Sequence, residues 1–259
     1  MKNLLLILFS VMAIATSNAR APQSANEYFQ IGFDAATNGQ LDIAIKNYSI
    51  AIAIDPSRVY FYYHRGLTYR SNNDKAHAIA DFNHCITVKS IAEAYYQRGL
   101  YKYEDLDLMA AKADFEMANS QKPDVEKTNF YLGVINYRLN QYDLADELIS
   151  RYIRNVKTNA DAFLYLAMVK VRLKKYGEVT PLLRLASLYN DNDWKLHLKM
   201  YDIYKEIGDK NNMLYHISMV IEMGQTKPEY YTIRAKLYLE RGDQLRAEYD
   251  LLAAAKTEK

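Results

Sequence analysis

Residues 62–66 read YYHRG, and residues 95–99, which lie 33 positions further along the chain, read YYQRG. The glycines that close these two stretches belong to a series of small residues spaced 33 or 34 positions apart: Gly32, Gly66, Gly99, Gly133 and Ala167. Ala235 keeps the same register further along. A constant spacing over this length indicates that one structural unit is repeated along the chain.

Each repeated unit carries the pattern of two helices joined by a turn. Alanine recurs twelve positions after most of the small residues, and a large apolar residue follows four positions later: Tyr48, Phe82, Phe115, Ile149, Leu183, Ile217 and Leu251. In the second unit, two triplets spaced i, i+4 and i+7 each mark one face of a helix; they are Tyr62, Gly66 and Tyr69, then Ala78, Phe82 and Cys85. Polar residues 72–74 separate them and predict the turn.

This order of small and aromatic residues resembles the tetratricopeptide-repeat family, whose signature is about 34 residues long. The resemblance covers residues 25–259 as one domain of about seven repeats, 25–58, 59–91, 92–125, 126–159, 160–193, 194–227 and 228–259. It implies an all-α fold, a right-handed superhelical solenoid of helix–turn–helix repeats. One repeat cannot bury its apolar face alone, so the repeats are expected to stack.

Side-chain oxygens predict several helix starts. Ser24 and Glu27 have the spacing of a capping box in front of the first helix. Asp42, Asp143 and Asn211 share one repeat position and are predicted to cap the second helix of their repeats.

Residues 1–19 have the pattern of a secretory signal peptide. Lys2 precedes an apolar run over residues 4–15, which is shorter than the ~20 residues of a membrane-spanning helix. Ser17 and Ala19 form a small-x-small cleavage motif. We therefore expect export, removal of residues 1–19, and a short linker at 20–24. The mature chain is expected to have no integral membrane segment and to reside in the periplasm or cell envelope, with secretion as the alternative.

Composition and motifs argue against several other functions. The 33 basic and 31 acidic residues give a net charge of +2, which does not favour nucleic acid as a partner. No nucleotide-binding, serine-hydrolase or zinc-protease motif occurs, so we expect a non-enzymatic protein without cofactor or metal. His77, Asp81 and His84 share one helix face but occupy positions expected to face solvent, and Cys85 replaces a buried alanine of the repeat.

The resemblance implies that partners bind on the concave face, which the first helix of each repeat lines. The lining positions of the first four repeats are rich in aromatic residues, with two arginines near the rim: Phe29, Phe33, Tyr60, Tyr63, Leu67, Arg70, Tyr96, Leu100, Tyr103, Phe130, Val134, Tyr137 and Arg138. The lining positions of the last three repeats have no aromatic residue; they include Leu164, Met168, Val171 and Asp202.

Two interpretations of the aromatic positions remain open. If the side chains are exposed, they form a groove for an apolar or amphipathic segment of another protein, because large apolar patches usually mark interfaces. If they pack between neighbouring repeats, they are core. Phe29 and Phe33 stand where related carboxylate-binding repeats have lysine and asparagine, so a terminal carboxylate is not the expected ligand. The sequence thus favours an exported adaptor that binds a protein or peptide.

The carboxyl end offers an alternative. Leu251, Leu252 and Ala255 lie in the last predicted helix, where repeat arrays usually have a capping helix that is polar outside. An apolar face there would suit a permanent subunit of an envelope complex, or a homodimer formed through this end.

Overall fold

The computed structural model describes residues 24–123 and 127–257. Over these ranges the chain forms fourteen α-helices and no β-strand. The helices are α1 (Ala25–Thr37), α2 (Leu41–Ile54), α3 (Val59–Ser71), α4 (Lys75–Lys89), α5 (Ala92–Glu104), α6 (Leu108–Gln121), α7 (Thr128–Arg138), α8 (Tyr142–Asn155), α9 (Ala160–Arg172), α10 (Val179–Tyr189), α11 (Trp194–Ile207), α12 (Lys210–Glu222), α13 (Pro228–Glu240) and α14 (Gln244–Thr257). The predicted signal peptide, residues 20–23 of the predicted linker and residue 126 lie outside the described residues.

The helices pack in consecutive pairs, from α1 with α2 to α13 with α14. These seven helix–turn–helix pairs confirm the predicted all-α repeat fold with about seven repeats. By its contacts the chain divides into two units, Met1–Lys89 and Ser90–Lys259. The amino-terminal unit contains α1 to α4, and the carboxyl-terminal unit contains α5 to α14. That residues 25–259 form one domain stays a prediction.

Within each unit the pairs stack on one another. The second helix of a pair also packs against the first helix of the next pair, as in α2–α3, α6–α7, α8–α9 and α12–α13. First helices of neighbouring pairs touch as well, in α1–α3, α7–α9 and α9–α11. Stacking of this kind buries the apolar face that each pair alone would leave in water.

Small residues on the first helix let its partner approach closely. A Cβ atom on Gly66 would lie 2.9 Å from Cε1 of Phe82, and a Cβ on Gly133 would lie 2.4 Å from Cγ1 of Ile149. Both distances are too short for ordinary carbon contacts. The small–large pairing seen in the sequence is therefore the contact that joins the two helices of a pair.

The turn between the helices of each pair contains one residue with positive φ. The seven residues are Gly39, Asn73, Leu106, Asn140, Lys174, Gly208 and Gly242, with φ between 58° and 77°. They recur with the same period as the small residues, although their side chains differ. Glycine and asparagine adopt this conformation readily, whereas Leu106 and Lys174 are strained in it.

The predicted helix caps are confirmed at one place and wrong at others. The Ser24 side chain accepts a hydrogen bond from the Glu27 amide and the Glu27 carboxylate accepts one from the Ser24 amide, which is the predicted capping box. Asp42 and Asp143 lie inside the first turns of α2 and α8, and Asn211 lies inside the first turn of α12, which Asp209 caps. Carboxylates in a first turn still interact favourably with the helix dipole.

Three repeats hold their two helices together with a buried ion pair. Arg65 and Asp81 form two hydrogen bonds, Nε to Oδ2 at 2.8 Å and Nη2 to Oδ1 at 2.7 Å. Pairs with the same spacing of 16 residues are Arg98 with Asp114 and Arg234 with Asp250. Asp81 is thus buried against an arginine, which corrects its predicted place on a solvated surface.

Candidate functional site

The first and third helices bring aromatic side chains together on the amino-terminal unit. The Phe29 ring lies 6.2 Å from the Phe33 ring on α1, and 4.9 Å from the Tyr60 ring on α3 in an edge-on arrangement. Phe33 is 42% exposed and Tyr60 is 39% exposed. The Tyr60 hydroxyl donates to the Asn26 side-chain oxygen at 3.0 Å, which fixes the ring on the surface. The structure thus gathers the predicted members Phe29, Phe33 and Tyr60.

His64 lies among these rings, although the sequence analysis did not include it in the candidate site. Its ring centre is 5.2 Å from that of Phe29, 5.7 Å from that of Phe33 and 5.6 Å from that of Tyr63. Burial lowers the pKa of its imidazole, so the ring is neutral near pH 7. The sequence signal that could have identified His64 is its position directly after Tyr63, a predicted groove residue.

We call the side chains of Phe29, Phe33, Tyr60, Tyr63, His64 and Leu67 the amino-terminal aromatic surface. A hollow of about 160 Å³ opens beside Phe33, His64 and Leu67. Tyr63 and Leu67 are half-buried. Arg70, the predicted rim residue, is also half-buried. The surface combines exposed rings with a concave edge, which is the setting in which aromatic anchors bind protein partners.

In the carboxyl-terminal unit, three of the predicted groove residues are buried. The Tyr96 ring packs 5.8 Å from the Phe115 ring, and the Phe130 ring packs 5.5 Å from the Tyr152 ring. Tyr96, Phe130 and Val134 belong to the apolar core of this unit. For these three the structure corrects the placement in an open groove, because neighbouring helices cover their side chains. Tyr96 and Phe130 also pack between repeats, because their rings lie 6.2 Å and 5.9 Å from the rings of Tyr131 and Tyr165 in the next repeat.

The remaining predicted residues of this unit stay partly accessible. Leu100, Tyr103 and Tyr137 are half-buried, and Arg138 is exposed. The Arg138 guanidinium lies 5.1 Å from the centre of the Tyr103 ring, a distance at which a cation is attracted to an aromatic face. Burial raises the pKa of Tyr103 to about 12, so its hydroxyl is protonated and acts as a neutral hydrogen-bonding group.

A cleft of about 270 Å³ lies between α7, α9 and α11 in the carboxyl-terminal unit. We call it the α9–α11 cleft, and its lining residues are Tyr137, Leu164, Tyr165, Met168, Val171, Arg172, Lys199, Asp202, Ile203 and Glu206. Sequence analysis placed Leu164, Met168, Val171 and Asp202 on the concave face but outside the candidate site. The sequence analysis chose the candidate site by the aromatic residues at the groove positions. That criterion does not reveal a cavity that is lined largely by aliphatic side chains.

Two of the charges in the α9–α11 cleft compensate each other. Arg172 forms an ion pair with Glu206 and hydrogen-bonds to the Tyr137 hydroxyl. Burial is the main cause that raises the pKa of Tyr137. Burial also raises the pKa of the Asp202 carboxyl group above its usual range, while the nearby Lys205 lowers it. Asp202 is an exposed residue that lines a largely apolar cleft.

A buried histidine pair lies elsewhere in the same unit. His197 Nδ1 is 2.8 Å from His216 Nδ1, and His197 Nε2 is 3.0 Å from the carbonyl oxygen of Asp191. Burial, with a smaller contribution from His197, lowers the pKa of His216 to about 4. The Tyr204 ring stacks on His216 with ring centres 5.3 Å apart. Across the described ranges no three histidine, cysteine or acidic side chains are grouped so that they could hold a metal ion.

The predicted surface histidines and the cysteine have ordinary structural places. His77 Nδ1 donates a hydrogen bond to the Asp74 carboxylate at the solvent-exposed start of α4, at 2.8 Å. The half-buried His84 ring stacks on Tyr62 with centres 3.8 Å apart. Cys85 is buried, as predicted, and burial raises the pKa of its thiol to about 12.

The last helix exposes an apolar face. Leu251 is 47% exposed. The residues at its position in the other repeats, Tyr48, Phe82, Phe115, Ile149, Leu183 and Ile217, are almost completely buried. Leu245, Tyr249 and Leu252 are also exposed on α14, and so is Ala255. We call Leu245, Tyr249, Leu251 and Leu252 the α14 face.

Comparison with known proteins supports the repeat assignment. A family model described as TPR repeat matches residues 37–73. A tetratricopeptide-repeat protein from Parabacteroides merdae has a similar structure, with a TM-score of 0.65, 18% identity, and coverage of 91% of this chain and 93% of that chain. No curated protein matches the chain significantly.

Two further solved structures are similar. PilW, described as a widely conserved type IV pilus biogenesis factor, has a TM-score of 0.63 at 18% identity, and the match covers 77% of this chain and 93% of that one. YrrB, described as a TPR protein with an unusual peptide-binding site, has a TM-score of 0.57 at 19% identity, with coverage of 68% and 91%. These likenesses concern the fold, which is the tetratricopeptide-repeat fold. Among the described helices, none has the length and apolar character to cross a bilayer.

Proposed function

We propose that this chain is a non-enzymatic, exported adaptor that binds an apolar or amphipathic segment of a partner protein. The observation that carries the proposal is the amino-terminal aromatic surface, where Phe33 and Tyr60 remain 42% and 39% exposed. Large aromatic side chains are costly to leave in water, and they supply much of the binding energy at protein interfaces. The unusual peptide-binding site of YrrB is a property of that protein and is in keeping with the proposal.

The chemistry of the surface favours an apolar anchor over a charged one. Its rings belong to Phe29, Phe33, Tyr60 and Tyr63, and His64 is neutral near pH 7 because burial lowers its pKa. A partner side chain that enters the hollow beside Phe33 therefore contacts carbon atoms on most sides. Leucine, methionine or phenylalanine on one face of a partner helix has this character.

Export to the periplasm or envelope is part of the proposal. It rests on the signal-peptide pattern of residues 1–19, and the likeness in fold to a pilus biogenesis factor is in keeping with it. Sequencing the amino terminus of the protein recovered from periplasmic and cytoplasmic fractions tests this part. A mature chain that begins after Ala19 in the periplasm supports export, and an intact Met1 in the cytoplasm contradicts it.

Site-directed crosslinking tests the binding site. A photoreactive phenylalanine analogue is placed at Phe33 in the source cells, and at the exposed Tyr176 as a matched control. We expect position 33, and not position 176, to crosslink one partner segment with apolar residues at helical spacing. A synthetic peptide of that segment should bind the wild type and lose about 30-fold in affinity to Phe33→Ala, the effect of an aromatic hot spot worth about 2 kcal/mol.

Equal crosslinking from both positions would contradict a specific surface. So would a Phe33→Ala/Tyr60→Ala variant that binds the peptide as well as the wild type. Circular dichroism checks the fold of each variant. Both side chains are substantially exposed, so their truncation should leave the helix content unchanged.

A second candidate function rests on the α14 face. Because Leu251 is exposed where its counterparts in the other repeats are buried, this face suits a permanent subunit contact in an envelope assembly, or a homodimer. Sedimentation velocity of the wild type and of a Leu251→Glu/Leu252→Glu variant tests the homodimer. A wild-type dimer that becomes a monomer in the variant supports it, and a wild-type monomer at high concentration removes it. Co-sedimentation of the wild type with a large membrane complex, lost in the variant, supports the subunit.

A further inference from the structure

The α9–α11 cleft joins an apolar floor to a carboxylate, that of Asp202, which forms no ion pair with any residue that the structure describes. Leu164, Val171 and Ile203 are buried beneath it and Met168 is half-buried. In the described part of the chain, no hydrogen bond or ion pair engages the Asp202 carboxylate, although that residue lines the cleft. Asp202 is exposed, so a cation carried by a partner can reach its carboxylate.

The neighbouring cations leave this carboxylate unpaired. Arg172 is bound to Glu206, and its charge is compensated there. Lys199 and Lys205 lie three residues before and after Asp202 on the same helix, and both are exposed. Lys205 attracts the Asp202 carboxylate, but among the described residues neither lysine forms an ion pair with it.

Two aromatic rings complete the cleft. Tyr137 and Tyr165 line it, with ring centres 6.3 Å apart and planes at 75°. Aromatic faces attract ammonium groups, and the attraction adds to that of a nearby carboxylate. Aliphatic floor, aromatic wall and carboxylate thus meet in one cavity.

We propose that the α9–α11 cleft binds one lysine side chain of a partner protein, with the aliphatic stem on Met168 and Leu164 and the ammonium at Asp202. A lysine has the apolar stem and the terminal cation that such a site requires. At about 270 Å³, the cleft lies below the roughly 300–1,000 Å³ of sites for drug-sized ligands, and this size suits a single side chain. The proposal does not depend on the amino-terminal aromatic surface, which lies in the other unit.

The test compares two small probes that differ only in the ammonium group. The probes are Nα-acetyl-lysine N-methylamide and Nα-acetyl-norleucine N-methylamide, which share a backbone and an unbranched aliphatic stem. Each is titrated into the full chain, and NMR follows the Met168 methyl signal and the Asp202 amide signal. The titrations are repeated with Asp202→Asn and with the control Asp161→Asn, which removes an exposed carboxylate of α9 outside the cleft.

We expect saturable shifts of both signals and about fivefold tighter binding of the lysine probe, the effect of one partly exposed ion pair of about 1 kcal/mol. The preference should fall to about one in Asp202→Asn and persist in Asp161→Asn. Equal affinity of both probes in the wild type would overturn the role of the cation. A preference that survives Asp202→Asn would overturn the role of this carboxylate, and the absence of any saturable shift would overturn the cleft as a side-chain site. None of these outcomes bears on crosslinking from Phe33.

Discussion

Variants of the buried Arg65–Asp81 ion pair should distinguish the cost of removing one partner from the cost of removing both. The Asp81 side chain is 6% exposed and the Arg65 side chain 19% exposed, and Arg65 Nη1 also donates to the Ser49 hydroxyl at 2.9 Å. Asp81→Ala leaves a guanidinium without its carboxylate between α3 and α4. Arg65→Leu with Asp81→Leu removes both charges and fills the space with apolar side chains.

The structure sets the expected magnitudes. Removal of one partner of a buried pair costs about 3–5 kcal/mol in the free energy of unfolding. Because Arg65 remains partly exposed, we expect a loss of about 3 kcal/mol, at the lower end of this range. Replacement of both partners by apolar residues of similar size is often neutral or stabilising. The chain itself uses this solution, because Leu132 and Leu148 occupy the same two repeat positions and are buried. We therefore expect the double variant to lie within about 1 kcal/mol of the wild type.

Urea unfolding at 25 °C, followed by circular dichroism, measures both variants. If the denaturant slope is about 2 kcal/mol per molar, Asp81→Ala should lower the midpoint by roughly 1.5 M. Hydrogen exchange of α3 and α4 shows whether the loss is local to this pair of helices. The exposed pair Arg58–Asp55 provides the control, since Asp55→Ala should leave the midpoint unchanged within error. A double variant as unstable as Asp81→Ala would refute the reasoning, as would a single variant that unfolds with the wild type.

Three further predictions concern stability. The folded-state pKa of His216, about 4, lies below its unfolded value near 6.5. The free energy of unfolding should therefore fall by roughly 3 kcal/mol as pH drops from about 6.5 to about 4, and His216→Phe should flatten this slope in urea titrations. Gly133→Ala should destabilise the protein by about 1–2 kcal/mol, because the new Cβ would clash with Ile149. Gly177→Ala serves as the control and should leave the stability unchanged, because no atom lies near its Cβ position. Equal effects of the two variants on the melting temperature would contradict this prediction. Leu106→Gly should raise the melting temperature by relieving a positive φ of 62°, worth about 1 kcal/mol; an unchanged or lower value would contradict the strain.

The repeat fold could be predicted from the sequence because its main contact is local. Gly66 and Phe82 are 16 residues apart and in contact, and the recurring spacing of a small and a large residue predicts this contact. The left-handed turn residue, by contrast, escaped prediction. Leu106 and Lys174 occupy a position that glycine or asparagine takes in the other repeats, so no residue type marks it throughout.

The candidate site was predicted in part. Family positions identified Phe33 and Tyr60, which the structure exposes, together with Phe130 and Val134, which it buries. All four are large apolar residues on the side of a first helix that the family pattern assigns to the groove. Position on the helix therefore indicated which way a side chain points, but not what covers it.

The sequence by itself determined the helical pairs, their period and the small–large contact inside each pair, because these depend on residues close together in the chain. The tertiary structure decided which aromatic residues stay exposed and which charges pair. It also decided that a gap between aliphatic side chains remains at the α9–α11 cleft. The physical reason is that exposure depends on atoms contributed by neighbouring repeats, and so do ion pairs between repeats such as Arg172–Glu206. Asp202 and Met168 are 34 residues apart in the sequence, and only the packing of α9 beside α11 makes them walls of one cavity.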